Sequence, residues 1–426
     1  MLIFLIFIAL LIMICINVPI AVSLAVAAVI GLVATEGVDS MVSVALDMYD
    51  GSTKFSLIAI PMFVLAGAIM NAGGVTDRLI NFVSAIIGFV RGGLAMVNIG
   101  VSLFFAEISG SAVADVAAMG SILIPQMKKR GYSGPFSAAV TSSSASLAII
   151  IPPSIPMILY ATSANTSVEQ LFVAGIVPGL LGAFGLMAVA HIFARRYNLP
   201  VEEAFNWKRL GSTFVDALPA FALPVIILGG IFGGFVTATE AAGLAVIAAC
   251  LVGLWYNQMN FAHLKRAMLD GGMQTAVVML LVAASVVMGG FLTRAQVPQE
   301  LAAGIIEITS NKWLILLILN FLFLIIGFFL HSAAAIILVV PIVVPLIQAA
   351  GIDPVHFGLV VTLNLAIGQQ TPPVASVLIT SCAVARANIW DVSRINVFFV
   401  AVLFAVLMLC TYVPDVPLFL VEYFYR

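Results

Sequence analysis

The sequence predicts an all-α polytopic membrane protein, built as an inverted repeat with two re-entrant hairpins and two broken helices. Three observations predict it. First, of 426 residues 63% are hydrophobic and only 8% charged, with a mean hydropathy of +1.21. So few charges cannot coat a soluble body of this size. Second, a proline pair interrupts a long apolar segment twice, at Pro152-Pro153 and Pro372-Pro373, and 372 − 152 = 220. Pro125 and Pro345, and Gly131 and Gly351, keep that offset. Third, basic residues segregate to one side of the crossings that follow.

Apolar segments long enough to cross, at about 20 residues each, cover roughly 1–16, 18–34, 55–72, 136–162, 171–193, 216–235, 239–256, 271–292, 353–381 and 395–413. The first lacks a basic leader and a clean cleavage site, so it is expected to be a retained helix rather than a signal peptide. The segments 136–162 and 353–381 contain the proline pairs. Proline lacks the backbone donor and clashes with the preceding turn. In hydrocarbon the freed carbonyls need partners, so such breaks survive only inside protein or beside a polar cavity. Matching breaks in two halves point to a transporter's ion and substrate site.

Segments 94–127 and 313–347 are too long for one crossing, and each carries small or polar residues midway: Glu107 to Ser111, and Gly327 to Ser332. Each is expected to enter half-way, turn and leave on the same side. Segments 74–92 and 297–311 precede them and read as amphipathic helices along the interface. The stretch from Glu36 to Asp50 reads as an external acidic loop, and Arg195–Thr213 as a connector. The expected divisions are scaffold helices 1–72, an arm 73–92, hairpin plus broken helix 93–162, linking and second-repeat scaffold helices 163–296, an arm 297–312, hairpin plus broken helix 313–381, and a C-terminal helix 382–426.

If the first hairpin enters from the cytoplasm and the second from outside, Arg78, Arg91, Lys128, Lys129, Arg130, Arg195, Arg196, Lys208, Arg209, Lys265, Arg266, Arg386 and Arg394 lie inside. Lys54, Arg294, Lys312 and Arg426 lie outside, so the 17 basic residues divide 13 to 4. That is the asymmetry of the positive-inside rule. It sets the halves in opposite orientation, with both termini periplasmic.

Two constellations could hold a small hard cation. Ser109 and Ser111 at the first tip, with the carbonyls of Ala148, Ile151 and Pro153 at the first break, make a cage of neutral oxygens suited to sodium. Packing of small residues is the plainer alternative. The symmetry mate would use Gly368, Thr371 and Pro373 with carbonyls near Phe329, and His331 stands where Ser111 does (111 + 220 = 331). Ser144 and Ser146, facing Asn364, predict a hydrated cavity between the repeats. Gln369 and Gln370 could bind substrate hydroxyls or a carboxylate, or bond between helices. Half-helix N-termini favour an anion there. Glu107 and Asp115 flank the first tip and read as structural or proton-coupling. Thr237 and Glu240 read as a capping box.

Taken together, the stretches Ile108–Asp115, Gly120–Pro125, Ile150–Ser154, Phe235–Ala242, Gly351–Gly358 and Thr371–Val374 resemble the large membrane subunit of TRAP (tripartite ATP-independent periplasmic) transporters. The resemblance spans essentially the whole chain. It implies a sodium-driven importer of the bacterial inner membrane, working by an elevator movement of hairpins and broken helices against a scaffold. It implies a small four-helix membrane subunit and a periplasmic substrate-binding protein. The family's first sodium site maps onto Ser109, Ser111, Ala148, Ile151 and Pro153, and a second sodium follows by internal symmetry. His331 and the Gln369-Gln370 break depart from C4-dicarboxylate members, which leans the expected organic anion towards sialic acid or a related acidic sugar.

Other classes fare worse. A standalone sodium–dicarboxylate or citrate symporter shares the plan but lacks the binding protein. A channel needs a continuous pore, which dead-end hairpins block. No Ser/His/Asp set and no His-Glu-x-x-His motif supports an enzyme. The net charge of −2 does not suggest nucleic acid. Cys15, Cys250, Cys382 and Cys410 lie in apolar runs without metal-ligand spacing.

Overall fold

The computed structural model describes residues 2–16, 18–201, 204–372 and 375–425. Among these the chain is helical throughout, apart from an isolated bridge between Arg91 and Val201. Among the described residues eight helical segments are long and apolar enough to cross a membrane, two of them, Phe55–Ala72 and Trp207–Phe232, made of successive helical pieces.

The first half runs through α1 (Leu2–Cys15), α2 (Ile20–Glu36), α3 (Met41–Ser52), α4 (Ala59–Ala72) and the arm α5 (Val75–Ile87). Hairpin one enters as α6 (Gly93–Ser109). It returns as α7 (Ala112–Asp115), a π-helical turn Val116–Gly120 and α8 (Ser121–Lys129). The first broken helix is α9 (Gly134–Ala145), a 3-10 turn Ser146–Ile149, the break, and α10 (Ile155–Ala164); α11 (Val168–Arg196) follows.

The second half opens with α12 (Trp207–Ala217), the short pieces α13 (Ala222–Pro224) and α14 (Gly230–Phe232), then α15 (Ala238–Trp255), α16 (Phe261–Arg294) and the arm α17 (Val297–Ile308). Hairpin two is α18 (Lys312–Phe329) and α19 (Ser332–Ala349). The second broken helix is α20 (Pro354–Gly368) and α21 (Ser376–Ala385), followed by α22 (Ile389–Tyr412) and α23 (Asp415–Tyr425).

The repeat is written in the helix ends. Left-handed backbone occurs at Gly37 and Asn257, Gly74 and Gln296, Gly131 and Gly351, and Asn165 and Arg386, each pair 220–222 residues apart. A residue in that conformation ends a helix and turns the chain. Caps recur with the same spacing: Ser133 and Asp353 accept N–H bonds at the starts of α9 and α20, and Ser167 and Asn388 at α11 and α22. A side-chain oxygen there satisfies an orphan donor of the first turn. Thr237 and Glu240 form the expected capping box on α15.

Several expectations change. The acidic stretch 36–50 is not a loop: Val38–Ser40 is a 3-10 turn and α3 covers Met41–Ser52. Two of its four acids are held by Arg294 of α16, which reaches Glu36 at 3.1 Å and Asp47 at 3.3 Å. The two hairpins are present, with long arms. With 17 residues in α6 and 18 in each of α18 and α19, each is about 26 Å long and can pass the midplane of a core about 30 Å thick. Helix α11, placed in a linking segment, occupies the position equivalent to α22 and packs on α9, α10 and α22.

Helices α2, α4, α15 and α16 pack on one another as a framework. The broken helices, hairpins, α11 and α22 pack as a second group. One face gathers Arg91, bonded to Asn198, and Lys128, which donates to the Ala385 carbonyl at 3.0 Å. On the opposite face Lys54 and Ser56 of the framework bond Thr162 of α10, and Glu169 of α11 accepts from the Ala238 N–H of α15.

Candidate ion and substrate site

The first tip and the first break meet. Gly110 is left-handed (φ +59°), and a Cβ there would lie 2.9 Å from the Pro153 carbonyl oxygen. Only a residue without a side chain takes that conformation this close without strain. Ser111 follows in extended conformation and starts the return arm. At the break, the Leu147 carbonyl accepts the N–H of both Ile150 and Ile151. The Ile149 carbonyl accepts the Ser154 hydroxyl at 2.7 Å. The carbonyls of Ala148, Ile151 and Pro153 lie outside these bonds, and that of Pro153 is beside the tip.

The break is held from behind by α11. A Cβ on Gly175 would sit 2.2 Å from the Ile150 carbonyl oxygen, and one on Gly179 would meet Ile151 at 2.5 Å. Helix α11 approaches closely because glycine stands at both places. The peptide between Pro152 and Pro153 is cis.

The second arrangement differs. The backbones of α18 and α20 touch at Gly327 and Gly368, where a Cβ on Gly368 would be 2.6 Å from the Gly327 Cα. The Gly368 carbonyl accepts the Thr371 N–H at 3.0 Å, and the Thr371 hydroxyl donates to Ile367 at 3.1 Å. Phe329 is exposed, and His331 caps α19 by accepting the Ala333 N–H through Nδ1. The expectations for Pro373 and for the side chains of Ser109 and Glu107 fall outside the described residues. Asp115 is buried.

Ser144 and Asn364 are equivalent positions (144 + 220 = 364), and each ties its broken helix to the entering arm of its hairpin. Ser144 bonds Asn98 and Ser102 of α6, and Asn98 also donates to Thr141 at 2.7 Å. Asn364 donates to Asn320 of α18 at 2.7 Å, and Asn320 to Thr411 of α22 at 3.1 Å. Ser146 turns back onto the Ser143 carbonyl. Gln369 bonds locally to Leu365 and Ser376.

Gln370 crosses between the repeats. Its amide nitrogen donates to the Ser142 carbonyl of α9 and its amide oxygen accepts the Ser142 hydroxyl. Asn396 of α22 donates to the Gln370 carbonyl at 3.2 Å and accepts the Ser143 hydroxyl at 2.6 Å. These groups are buried and bonded to one another, as buried polar groups must be.

The cavity lies elsewhere. About 410 Å³ open between the framework helices α4 and α16 and the outer side of hairpin one, lined by Asn71, Gln274, Phe105, Ala114, Ala118 and Ser121 among others. None of Ser144, Ser146, Asn364, Gln369 and Gln370 lines it. The hairpin wall is the π-helical turn, a distortion that frequently marks functional sites. Sequence reasoning passed over Asn71 and Gln274. Their signal was present: a lone amide in each of two apolar framework helices. Among the described residues no group of three or more His, Cys, Asp or Glu gathers.

Comparison with known proteins bears on the family and the fold. The family described as "Tripartite ATP-independent periplasmic transporter, DctM component" matches residues 7–416. YgiK of Salmonella typhimurium is 42% identical over 90% of this chain and 88% of its own length. The C4-dicarboxylate TRAP transporter large permease protein DctM of Pseudomonas aeruginosa is 38% identical over 89% of each chain. The sialic acid TRAP transporter large permease protein SiaM of Vibrio cholerae is 36% identical, again over 89% of each. Among solved structures, the YdaH transporter of Alcanivorax borkumensis superposes with a TM-score of 0.62 at 14% identity, over 89% of this chain and 88% of that one, a likeness of fold. A family match from residue 7 to residue 416, over a repeat with two hairpins and two broken helices, places the chain in the DctM family: it is a multi-pass TRAP transporter large permease.

Proposed function

We propose that this permease imports a small organic anion into the bacterial cytoplasm, driven by sodium. A periplasmic binding protein delivers the anion, and a small four-helix subunit extends the framework in the inner membrane. The observation that carries the reading is the contact of a hairpin tip with a helix break at Gly110 and Pro153. Sodium would take the neutral oxygens there, from Ser109, Ser111 and the carbonyls of Ala148, Ile151 and Pro153, where a hard cation suits oxygen ligands. A second sodium would lie by symmetry near Thr371, Gly368 and His331. The cation offsets the cost of bringing a carboxylate into a low-dielectric region.

The basic face is assigned to the cytoplasm by the positive-inside rule. The cavity beside hairpin one would then lie towards the cytoplasm, and the Lys54, Ser56 and Glu169 contacts would close the outer side. That is the inward-open end of an elevator cycle, with the broken-helix group sliding against the framework. The cavity's polar groups include two amides and a hydroxyl. Such a wall suits a polyhydroxylated acid such as sialic acid better than a C4-dicarboxylate, whose second carboxylate asks for a cation.

The test is uptake into proteoliposomes holding the chain and its small subunit, with labelled sialic acid or succinate, with and without an inward sodium gradient and the binding protein. Uptake is expected to need both. Uptake indifferent to sodium sinks the coupling; uptake without the binding protein makes this a standalone symporter; succinate in place of sialic acid overturns the substrate alone. In the same assay Ser111→Ala is expected to raise the sodium concentration for half-maximal uptake about tenfold, the loss of one cation ligand at about 1.4 kcal/mol.

A further inference from the structure

A second cavity, of about 400 Å³, lies at the end of α15, lined by Arg78, Ser212, Val215, Asp216, Trp255 and Tyr256 among others. We propose that it holds the head group of a zwitterionic phospholipid with a primary amine, its acyl chains lying along α15. The reading is independent of sodium coupling.

The recess is built from three elements. Arg78 of the arm α5 stacks its guanidinium 3.7 Å over the Tyr256 ring and donates to the Gly74 carbonyl at 2.8 Å. Its Nε lies 3.5 Å from Asp216 Oδ1, and the Tyr256 hydroxyl donates to the Asp216 carbonyl at 2.7 Å. A guanidinium has five N–H donors, so these two contacts leave donors for a phosphate. Ser212 stands one turn before Asp216 on the same face of α12. The Arg78 side chain is 18% exposed and that of Asp216 58%. The cation is therefore deep in the recess and the carboxylate at its mouth.

An apolar track leads to the recess. Ile247, Leu251 and Trp255 follow at four-residue spacing, which puts them on one face of α15, and they are 58%, 62% and 76% exposed. A soluble phosphate compound would use the recess and leave the track bare; a phospholipid uses both. An anionic head group would set negative charge against Asp216. A quaternary ammonium cannot donate hydrogen bonds to that carboxylate, whereas a primary ammonium donates up to three. The chemistry selects phosphatidylethanolamine over phosphatidylcholine and phosphatidylglycerol.

The experiment is native mass spectrometry of the delipidated permease with its small subunit, offered the three lipids with identical chains at equal concentration. Phosphatidylethanolamine is expected to be retained about tenfold over the others, the ratio one charge-assisted hydrogen bond supports. Asp216→Asn, at an exposed side chain, should bring it down to the phosphatidylcholine level. Arg78→Gln should lower all three. Equal retention of the three lipids, or a preference that survives Asp216→Asn, overturns the proposal. Chain-free glycerophosphoethanolamine competing as strongly as the lipid makes the ligand a soluble one. Retention by the permease alone that vanishes with the small subunit assigns the track to that subunit.

Discussion

Gly175→Ala is expected to raise the sodium requirement of uptake about tenfold or more while leaving the thermal midpoint within a few degrees of wild type. The added Cβ would lie 2.2 Å from the Ile150 carbonyl oxygen, a backbone atom that cannot rotate away. Relief requires α11 or the break to shift by about an ångström, and overpacking of this kind costs about 1–3 kcal/mol. Alanine returns about 1 kcal/mol through helix propensity, so global stability changes little. The displaced carbonyl belongs to the residue between Ala148 and Ile151, two of the proposed cation ligands. Such a cage binds through positions set to fractions of an ångström. Sodium titration of uptake, with thermal unfolding in detergent alongside, checks this. A large fall in the midpoint with unchanged sodium dependence would make Gly175 a packing residue only.

Gln370→Leu is expected to destabilise the protein by about 3 kcal/mol, and its neighbour Gln369→Leu by about 1 kcal/mol. Gln370 satisfies the Ser142 carbonyl and hydroxyl and stands under Asn396, all buried. Removing it leaves two groups bare in the interior, at about 1–3 kcal/mol each. Among the described residues Gln369 bonds only within its own broken helix. Both were candidates for substrate contact from sequence. Equilibrium unfolding of the two variants separates the ideas. A substrate ligand would show as a higher KM with stability untouched; a cross-brace between the repeats shows as lost stability, larger for Gln370.

The same two residues show where sequence stops being informative. Proline and glycine act on the backbone beside them, so the breaks at Pro152 and Pro372, the tip at Gly110 and the 220-residue offset were legible without coordinates. So was the segregation of basic residues, because the membrane sorts charge by sidedness and not by neighbours. The helix cap at Thr237 is local too. One local expectation still failed. The Glu36–Asp50 stretch looked like a loop because its acids had no visible partner, and that partner, Arg294, is about 250 residues away.

The sequence by itself determined the architecture: a membrane chain, duplicated and inverted, with one helix of each half broken at a proline pair. Only the tertiary structure decided which polar side chains face each other and which face a cavity. Ser144, Asn364 and Gln370 brace helices from within, while Asn71, Gln274 and Ser121 line open space. In a chain that is 63% hydrophobic, most membrane-crossing helices are apolar nearly all round, and no amphipathic stripe on them distinguishes a protein-facing side from a lipid-facing or water-facing one. The partner of a buried hydroxyl or amide is set by which helices meet across long range, so it becomes visible only once they are packed.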